Sequence, residues 1–582
     1  MDAPHDANSR GFPTDLGAPA EPVLDAGDVL GPLSHGQRAL WFLQQLAPDS
    51  QAYIITRAVR FPAPVDVDAM QRAFQGLVDR HACLRTTFHA PQGEPLQRVH
   101  AHMAADFRRI DASGWSAAEL EARASEEAWR PFDLERGPLL RVLVFTCAPD
   151  DHVLVLSAHH IISDLWSVAL LIYEIGQLYA AEAEGKPPAL RRLKMEYLDY
   201  CSAQAEMLAG AKGEALWDYW RSQLAGRLAP LELPTDRPRP PLQSFRGAWQ
   251  WMRIGSDLTN ALRALSRAHE ATLLMTSLAA FQVLLYRYSG QESFTIGSPA
   301  AGRSARSASL IGYFVNPVVL RADLSGNPTF AELLGRVRET VQGAFAHDEY
   351  PFPLLVERLQ PARDPSRSPL FQVMFTWQKT TSLVDGNNMA SFSLGDKGGT
   401  MDVAGLPMQS LPLQQRISQF DMTLQMAEAG EELAVSLEYN TDLFDAATIR
   451  RLLRQFETLL RSIVADPEQV VATLSLSDAA EQRRLRVAWN QTATGDPLPA
   501  GWGAAQLVEQ QVCRAPGALA VTLDGQRFTY GELNERAGRA QGWGDLPAVG
   551  PQLPARAPGL YAPGCPSPAA RDRGSPARRV AA

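Results

Sequence analysis

Apolar residues along this chain recur at two periods, and each period marks an element. "GQRALWFLQQLA" carries Leu40, Leu43 and Leu46 at helical spacing, and "DVDAMQRAFQGLVDRHACL" puts Met70, Phe74, Leu77 and Val78 on one helical face. "LLRVLVFTCA" and "DHVLVLSAHH" are short, apolar and rich in β-branched residues, which predicts buried strands. "SDLWSVALLIYEIGQLYAAEAEG" predicts a helix with Leu171, Ile175 and Leu178 on a shared face and Gly185 near its end. The second half repeats the style. "ATLLMTSLAAFQVLLYRYSG" predicts a buried helix, and "SFTIGSPAAG", "FVNPVVLRADL" and "LAVSLEYNTDLF" predict strands. "TFAELLGRVRETVQGAFAHDEY" and "DAATIRRLLRQFETLLRSIV" predict two more helices. The first of these opens on a capping box, Thr329 with Glu332, and its stripe is Phe330, Leu334, Val337 and Val341. Strands and helices alternate in both halves, so the fold class is α/β or α+β.

The pattern stops in three places. Residues 1–30 are rich in Pro, Gly, Asp and Ala without periodicity, which predicts a disordered leader. After Asp466 a linker is expected to about residue 500, followed in 501–540 by a hairpin with an Asp524-Gly525 turn and a helix. Residues 541–582 hold eight prolines and no Lys, Glu, Ile or Phe, so they can build neither a helix face nor a strand. So abrupt a change near Gln541 predicts a disordered tail of the composition that an out-of-frame translation has.

Composition narrows the classes. At 582 residues the chain has room for two to four domains of ~100–200 residues. Net charge is −9 with both signs mixed and no basic stripe, which argues against nucleic acid as partner. The five cysteines are scattered without a CxxC pair, which suggests neither a disulfide framework nor a zinc site and fits a reducing cytoplasm. No run reaches the ~20 apolar residues of a membrane helix, and the polar, acidic N-terminus lacks the apolar stretch of a signal peptide. A cytoplasmic protein with no membrane partner is expected.

One cluster carries chemistry: "HHIISDLWS", residues 159–167, at the end of a predicted strand. Side chains alternate faces along a strand, so His159 and His160 point to opposite sides and cannot easily ligate one metal. One imidazole faces a cleft and the other a core. Asp164 falls in the turn beyond, where it orients the loop through a salt bridge or holds an imidazole tautomer. Trp166 and Ser167 pack and cap.

This cluster resembles the active-site motif of condensation domains of nonribosomal peptide synthetases, which belong with the chloramphenicol-acetyltransferase-like acyltransferases. Other stretches resemble that family in its order: "LSHGQRALWFL", "RHACLRTTF", "IGYFVNPVVLR", "HDEYPFPLLVERL" and "RDPSRSPLFQVMF". The resemblance spans about 33–465. It departs from the family's pattern at Cys83, where glutamate is usual, at Leu165, where glycine is usual, and at Ala203, where tryptophan is expected. "WNQTA" and "FTYGELNERAGRA" further resemble the opening of an adenylation domain whose remainder is missing, so no amino-acid activation is expected.

The resemblance implies two similar lobes in a V, 31–205 and 206–465, with mixed sheets flanked by helices. It also implies amide formation between a carrier-bound acyl or peptidyl thioester and a carrier-bound aminoacyl acceptor. No cofactor of the domain's own is implied, because the substrates ride on phosphopantetheine of partner carriers, the donor carrier being expected on another polypeptide. His160, His159 and Asp164 would form the catalytic cluster: His160 acts on the amine, His159 is structural, and Asp164 sits in a buried ion pair. Arg80, Arg85 and Arg303 are candidate partners for Asp164. Asn316 would line the tunnel, bond across the lobes or simply serve the structure. Cyclisation domains, which carry aspartates for the histidines, are excluded. The alternatives are a catalytically silent synthetase remnant that only binds carriers, and a free-standing acyltransferase.

Overall fold

The computed structural model describes residues 25–226, 228–378, 399–414, 416–491, 502–523 and 526–539. The leader up to residue 24, the Asp524-Gly525 turn and the tail from 541 lie outside the described residues. The chain divides into two compact units at Ala480/Glu481.

The first unit is built on two six-stranded mixed sheets flanked by helices. The first sheet runs Thr400–Val403, Leu406–Leu411, Ile54–Phe61, Asp151–His159, Leu140–Ala148, Asp106–Asp111. The second runs Asn316–Asp323, Ser293–Ala300, Val373–Gln378, Met422–Ala429, Glu432–Asn440, Gly247–Ile254. A small third sheet joins Val29–Pro32, Leu96–Val99 and Thr86–His89.

Each large sheet carries its own core. Helix Val67–Arg80 presses Met70, Phe74, Leu77 and Val78 against the first, on the face its period predicts. Phe281, Phe330, Phe375 and Phe456 fill the second. Thr329 and Glu332 do form a reciprocal capping box on helix Phe330–Ala346. Gly185 ends helix Leu165–Glu184 at φ +64°, a backbone conformation that costs a side chain strain and glycine none.

Two expected boundaries do not hold as drawn. The hairpin Thr400–Leu411 comes from the second half yet pairs with strand Ile54–Phe61 at the edge of the first sheet. Met401, Val403, Leu406 and Met408 therefore belong to the first core. A sheet edge with unpaired amides takes whichever strand lies beside it, and proximity in sequence does not decide which. Nor does a linker begin at Asp466: Val471 and Leu474 are fully buried in the second core, and the Val471 amide donates to Pro328 O at 2.9 Å. Only Val471 and Leu474 of the apolar residues in "QVVATLSL" are fully buried, too few for a period to show.

The second unit contains helix Ala504–Arg514, the antiparallel pair Leu519–Leu523 and Gln526–Thr529, and helix Tyr530–Arg539. Among the described residues Cys83, Cys147 and Cys201 are free thiols. Among the described residues no single helix is long and apolar enough to cross a membrane.

Candidate functional site

Strand Asp151–His159 is interior to the first sheet, with Ile54 opposite His159 and Leu140 opposite Ala158. The chain leaves it through a single tight turn, His160–Ile162, and enters helix Leu165–Glu184 with Asp164 as its N-cap. The two histidines part company here. His159 is 1% exposed and meets the Phe132 ring edge-on at 6.4 Å. His160 is half-buried and stands perpendicular to the Tyr313 ring at 5.1 Å.

Hydrogen bonds set the tautomer of each ring. The Nδ1 of His160 lies 2.7 Å from Ser163 O. A carbonyl only accepts, so Nδ1 carries the proton and Nε2 keeps its lone pair. Burial pushes the His160 pKa below its ordinary value, against the opposing pull of Asp164. The ring is thus a neutral base at neutral pH. His159 is wired the other way. Its Nδ1 accepts from the Ile161 amide at 3.1 Å, and its Nε2 has no hydrogen-bond partner. Burial pushes its pKa down to about 3, so it is a neutral part of the core.

Asp164 is a hub whose links reach far along the chain. Oδ1 accepts from the Ser167 amide at 2.7 Å and from Arg303 Nη2 at 2.9 Å, and Oδ2 accepts from the Phe314 amide at 3.1 Å. Both charged side chains are almost wholly buried, at 3% and 4% exposure. A buried ion pair repays its desolvation only when its remaining donors and acceptors are met. Arg303 meets most of its own: it also donates to Ser307 O at 3.0 Å, Leu310 O at 2.7 Å and Ser167 Oγ at 2.6 Å. Its guanidinium stacks on Phe314, 4.0 Å from the ring centroid. Ser167 Oγ in turn donates to Gly312 O at 2.8 Å and accepts from the Gly312 amide at 3.0 Å. Together these bonds hold residues 310–314 against the helix start, and Tyr313 against His160.

The other expected residues fall outside this hub. Arg80 pairs with Glu174 at 3.0 Å and donates to Arg191 O, and Arg85 donates to His100 O at 2.5 Å. Neither is the partner of Asp164. Trp166 Nε1 donates to Ala308 O at 2.9 Å. Asn316 donates to Asp348 O and Tyr350 O, both at 2.7 Å, and accepts from the Phe352 amide at 2.8 Å. These bonds tie the start of strand Asn316–Asp323 to the loop at 348–352. Cys83 donates weakly to Ile162 O at 3.5 Å, and buried Gln37 donates to Ile161 O at 3.1 Å, so both brace the turn after His160.

Sequence reasoning missed Tyr313, Phe314 and the Ser163 carbonyl. "IGYFVNPVVLR" signals a strand from its β-branched run, but the strand starts only at Asn316. Gly36 was the available hint: a Cβ there would stand 2.5 Å from the Tyr313 ring, so glycine lets the start of helix His35–Leu46 approach it. Among the described residues no group of three His, Cys, Asp or Glu is placed to hold a metal.

The chain is 41% identical over 513 residues to a linear gramicidin synthase polypeptide of Brevibacillus parabrevis and 40% over 509 residues to malpibaldin synthetase of Mortierella alpina. Each match takes in 87% of this chain but only 10% and 9% of the relative, so the chain spans a tenth or less of their length. A crystallised holo four-domain nonribosomal peptide synthetase, bound to AMP and glycine, shares the fold at TM-score 0.72 and 24% identity, over 88% of this chain and 39% of that one. The family model for the condensation domain matches residues 30–486, a span that holds the whole histidine cluster and its partners, and the chain therefore belongs to the condensation-domain family, whose members catalyse amide-bond formation.

Proposed function

We propose that this chain joins a carrier-bound acyl or peptidyl thioester to the free amine of a carrier-bound aminoacyl thioester. The observation that carries the proposal is His160: half-buried, neutral, its Nδ1–H committed to Ser163 O and its Nε2 lone pair uncommitted by that bond. The amine nitrogen attacks the thioester carbonyl. As the C–N bond forms, the amine proton passes to His160 Nε2. As the C–S bond breaks, that proton leaves with the thiolate. The thioester is already activated, so the protein's main task is to hold two arms together, an effect worth up to ~7–11 kcal/mol when geometry is ideal. His159 and Asp164 act indirectly, one packing the strand end and the other anchoring the helix start and residues 310–314. Donor and acceptor carriers are the partners, with phosphopantetheine theirs rather than this domain's. Residues 502–539 support reading the second unit as the opening of an adenylation domain.

The test is the product mass from an acyl-loaded donor carrier and an aminoacyl-loaded acceptor carrier mixed with the full chain. A new amide on the acceptor carrier is expected. His160→Ala should lower the rate by about 10²–10⁴ with the fold intact. The pH profile should lose rate on the acid side as pH falls through the depressed His160 pKa, below its ordinary ~6.5. Unchanged turnover by folded His160→Ala would refute the assignment.

A further inference from the structure

Tyr313 is clamped beside His160 while its own hydroxyl stays uncommitted. The backbone is fixed on both flanks. The Tyr197 phenol donates to Tyr313 O at 2.5 Å, and the Gly312 and Phe314 amides donate to Ser167 Oγ and Asp164 Oδ2. The ring is fixed too. It lies so close to Gly36 that a Cβ there would stand 2.5 Å away, and it meets the imidazole at 87° with 5.1 Å between centroids. The hydroxyl is different. Among the described residues it has no hydrogen-bond partner, and it is not one of the polar atoms sealed from solvent. A tyrosine held this firmly in a half-buried place usually commits its O–H to the protein. Burial, above all, holds the phenol well above its ordinary value, so it remains a donor at neutral pH.

The proposed reaction needs such a donor. When the amine nitrogen adds to the thioester carbonyl, the C=O electron pair moves onto oxygen. The charge therefore forms two bonds from the nitrogen that His160 Nε2 holds at ~2.6–3.2 Å. A fixed O–H or N–H aimed at that oxygen stabilises the transition state without reorganising. His160 cannot supply it, since Nε2 is the base and Nδ1–H is held by Ser163 O. Trp166, Ser167 and Asn316 already donate to Ala308 O, Gly312 O and the carbonyls of Asp348 and Tyr350. We propose that the Tyr313 hydroxyl donates a hydrogen bond to the carbonyl oxygen of the donor thioester as that oxygen becomes the oxyanion, which makes Tyr313 a catalytic residue. The phenol keeps its proton throughout. The electron pair returns to the carbonyl as the C–S bond breaks, and the proton on His160 leaves with the thiolate. Tyr53 is the competing phenol. Its hydroxyl is likewise unbonded among the described residues, and burial pushes it up to about 12, but the edge-on contact with His160 belongs to Tyr313. The inference rests on the proposed amide-forming reaction, yet recognition of an oxyanion can be measured without turnover.

The first measurement is a calorimetric titration of the full chain at neutral pH with two inert probes. One is the hexylphosphonamidate of glycinamide, tetrahedral with a charged oxygen. The other is heptanoyl-glycinamide, the planar amide of the same length. Wild type should bind the phosphonamidate at least tenfold more tightly, as a site built for the transition state does. Tyr313→Phe keeps the ring and removes only the hydroxyl, so it should lose that preference, keep its affinity for the amide and show unaltered circular dichroism. Tyr53→Phe should keep the preference. No preference in wild type, or one that folded Tyr313→Phe retains, overturns the inference. The second measurement is the carrier-bound amide assay. Tyr313→Phe should lower kcat about 10²-fold, with KM for both carriers and the acid limb of the pH profile unmoved. A kcat that falls less than about threefold overturns the inference as well. A wild-type chain that makes no amide counts against the proposed reaction, and the titration then decides the phenol's role by itself.

Discussion

Replacing His159 by asparagine should remove a defined part of the protein's acid sensitivity. The His159 ring is buried beside Phe132, its Nδ1 accepts from the Ile161 amide, and its Nε2 has no hydrogen-bond partner. Protonating Nδ1 would set a donor against a donor and leave a charge without a counter-ion in the core. That is why the folded-state pKa lies near 3, while the unfolded chain titrates at about 6.5. Below pH 6.5 the unfolded state binds the extra proton, so stability falls as pH falls, by about 1.4 kcal/mol per unit, until the folded pKa is reached. From pH 6.5 to 5.0 this one ring should cost about 2 kcal/mol. Asparagine offers an amide oxygen to Ile161 and does not titrate. It leaves a gap, so His159→Asn should be less stable than wild type at pH 7 by about 1–3 kcal/mol. The assay is urea unfolding of a fragment ending near Ala480 at pH 7.0, 6.0 and 5.0. The gap between the two proteins should narrow by about 2 kcal/mol across that range. A gap of constant size would refute the reasoning, because it would place the His159 proton in the folded state as well.

Two further outcomes follow from buried charges. Arg303→Met leaves Asp164 buried without its cation and should destabilise the first unit by about 3–5 kcal/mol, while Arg80→Met, which removes a cation from Glu174 instead, should leave amide formation intact. Thermal unfolding beside the amide assay separates the two variants. Glu438 is buried and pushed up to about 7, so the folded state holds a proton that the unfolded chain has released, and this contribution is lost as pH rises from about 4.5 to 7. Glu438→Gln keeps an acceptor for Trp249 without that cost and should gain about 3 kcal/mol on wild type by pH 8, seen as a pH-dependent difference in urea midpoint.

Local rules made much of this protein legible from its sequence. Helix Phe330–Ala346 could be read because a capping box and an apolar stripe are contained within its own residues. Strand alternation separates His159 from His160 in the sequence; in the structure the strand ends at His159 and the turn begins at His160, with Phe132 beside the first ring and Tyr313 beside the second. The motif order pointed to the family for a similar reason: each motif is a short run of adjacent residues. What stayed hidden depends on contacts between residues far apart in the chain. Three arginines were equal candidates for Asp164, and the one that pairs with it lies 139 positions away, brought there by the packing of residues 303–314 on the start of helix Leu165–Glu184. The proton position on His160 depends on a backbone carbonyl, and every residue carries one. The hairpin Thr400–Leu411 completes the sheet of the other half because that edge was open in space. Period and capping are properties of neighbouring residues and can be read in order. The partner of a buried charge is a property of the fold, since any cation would satisfy it and only the tertiary structure determines which one arrives.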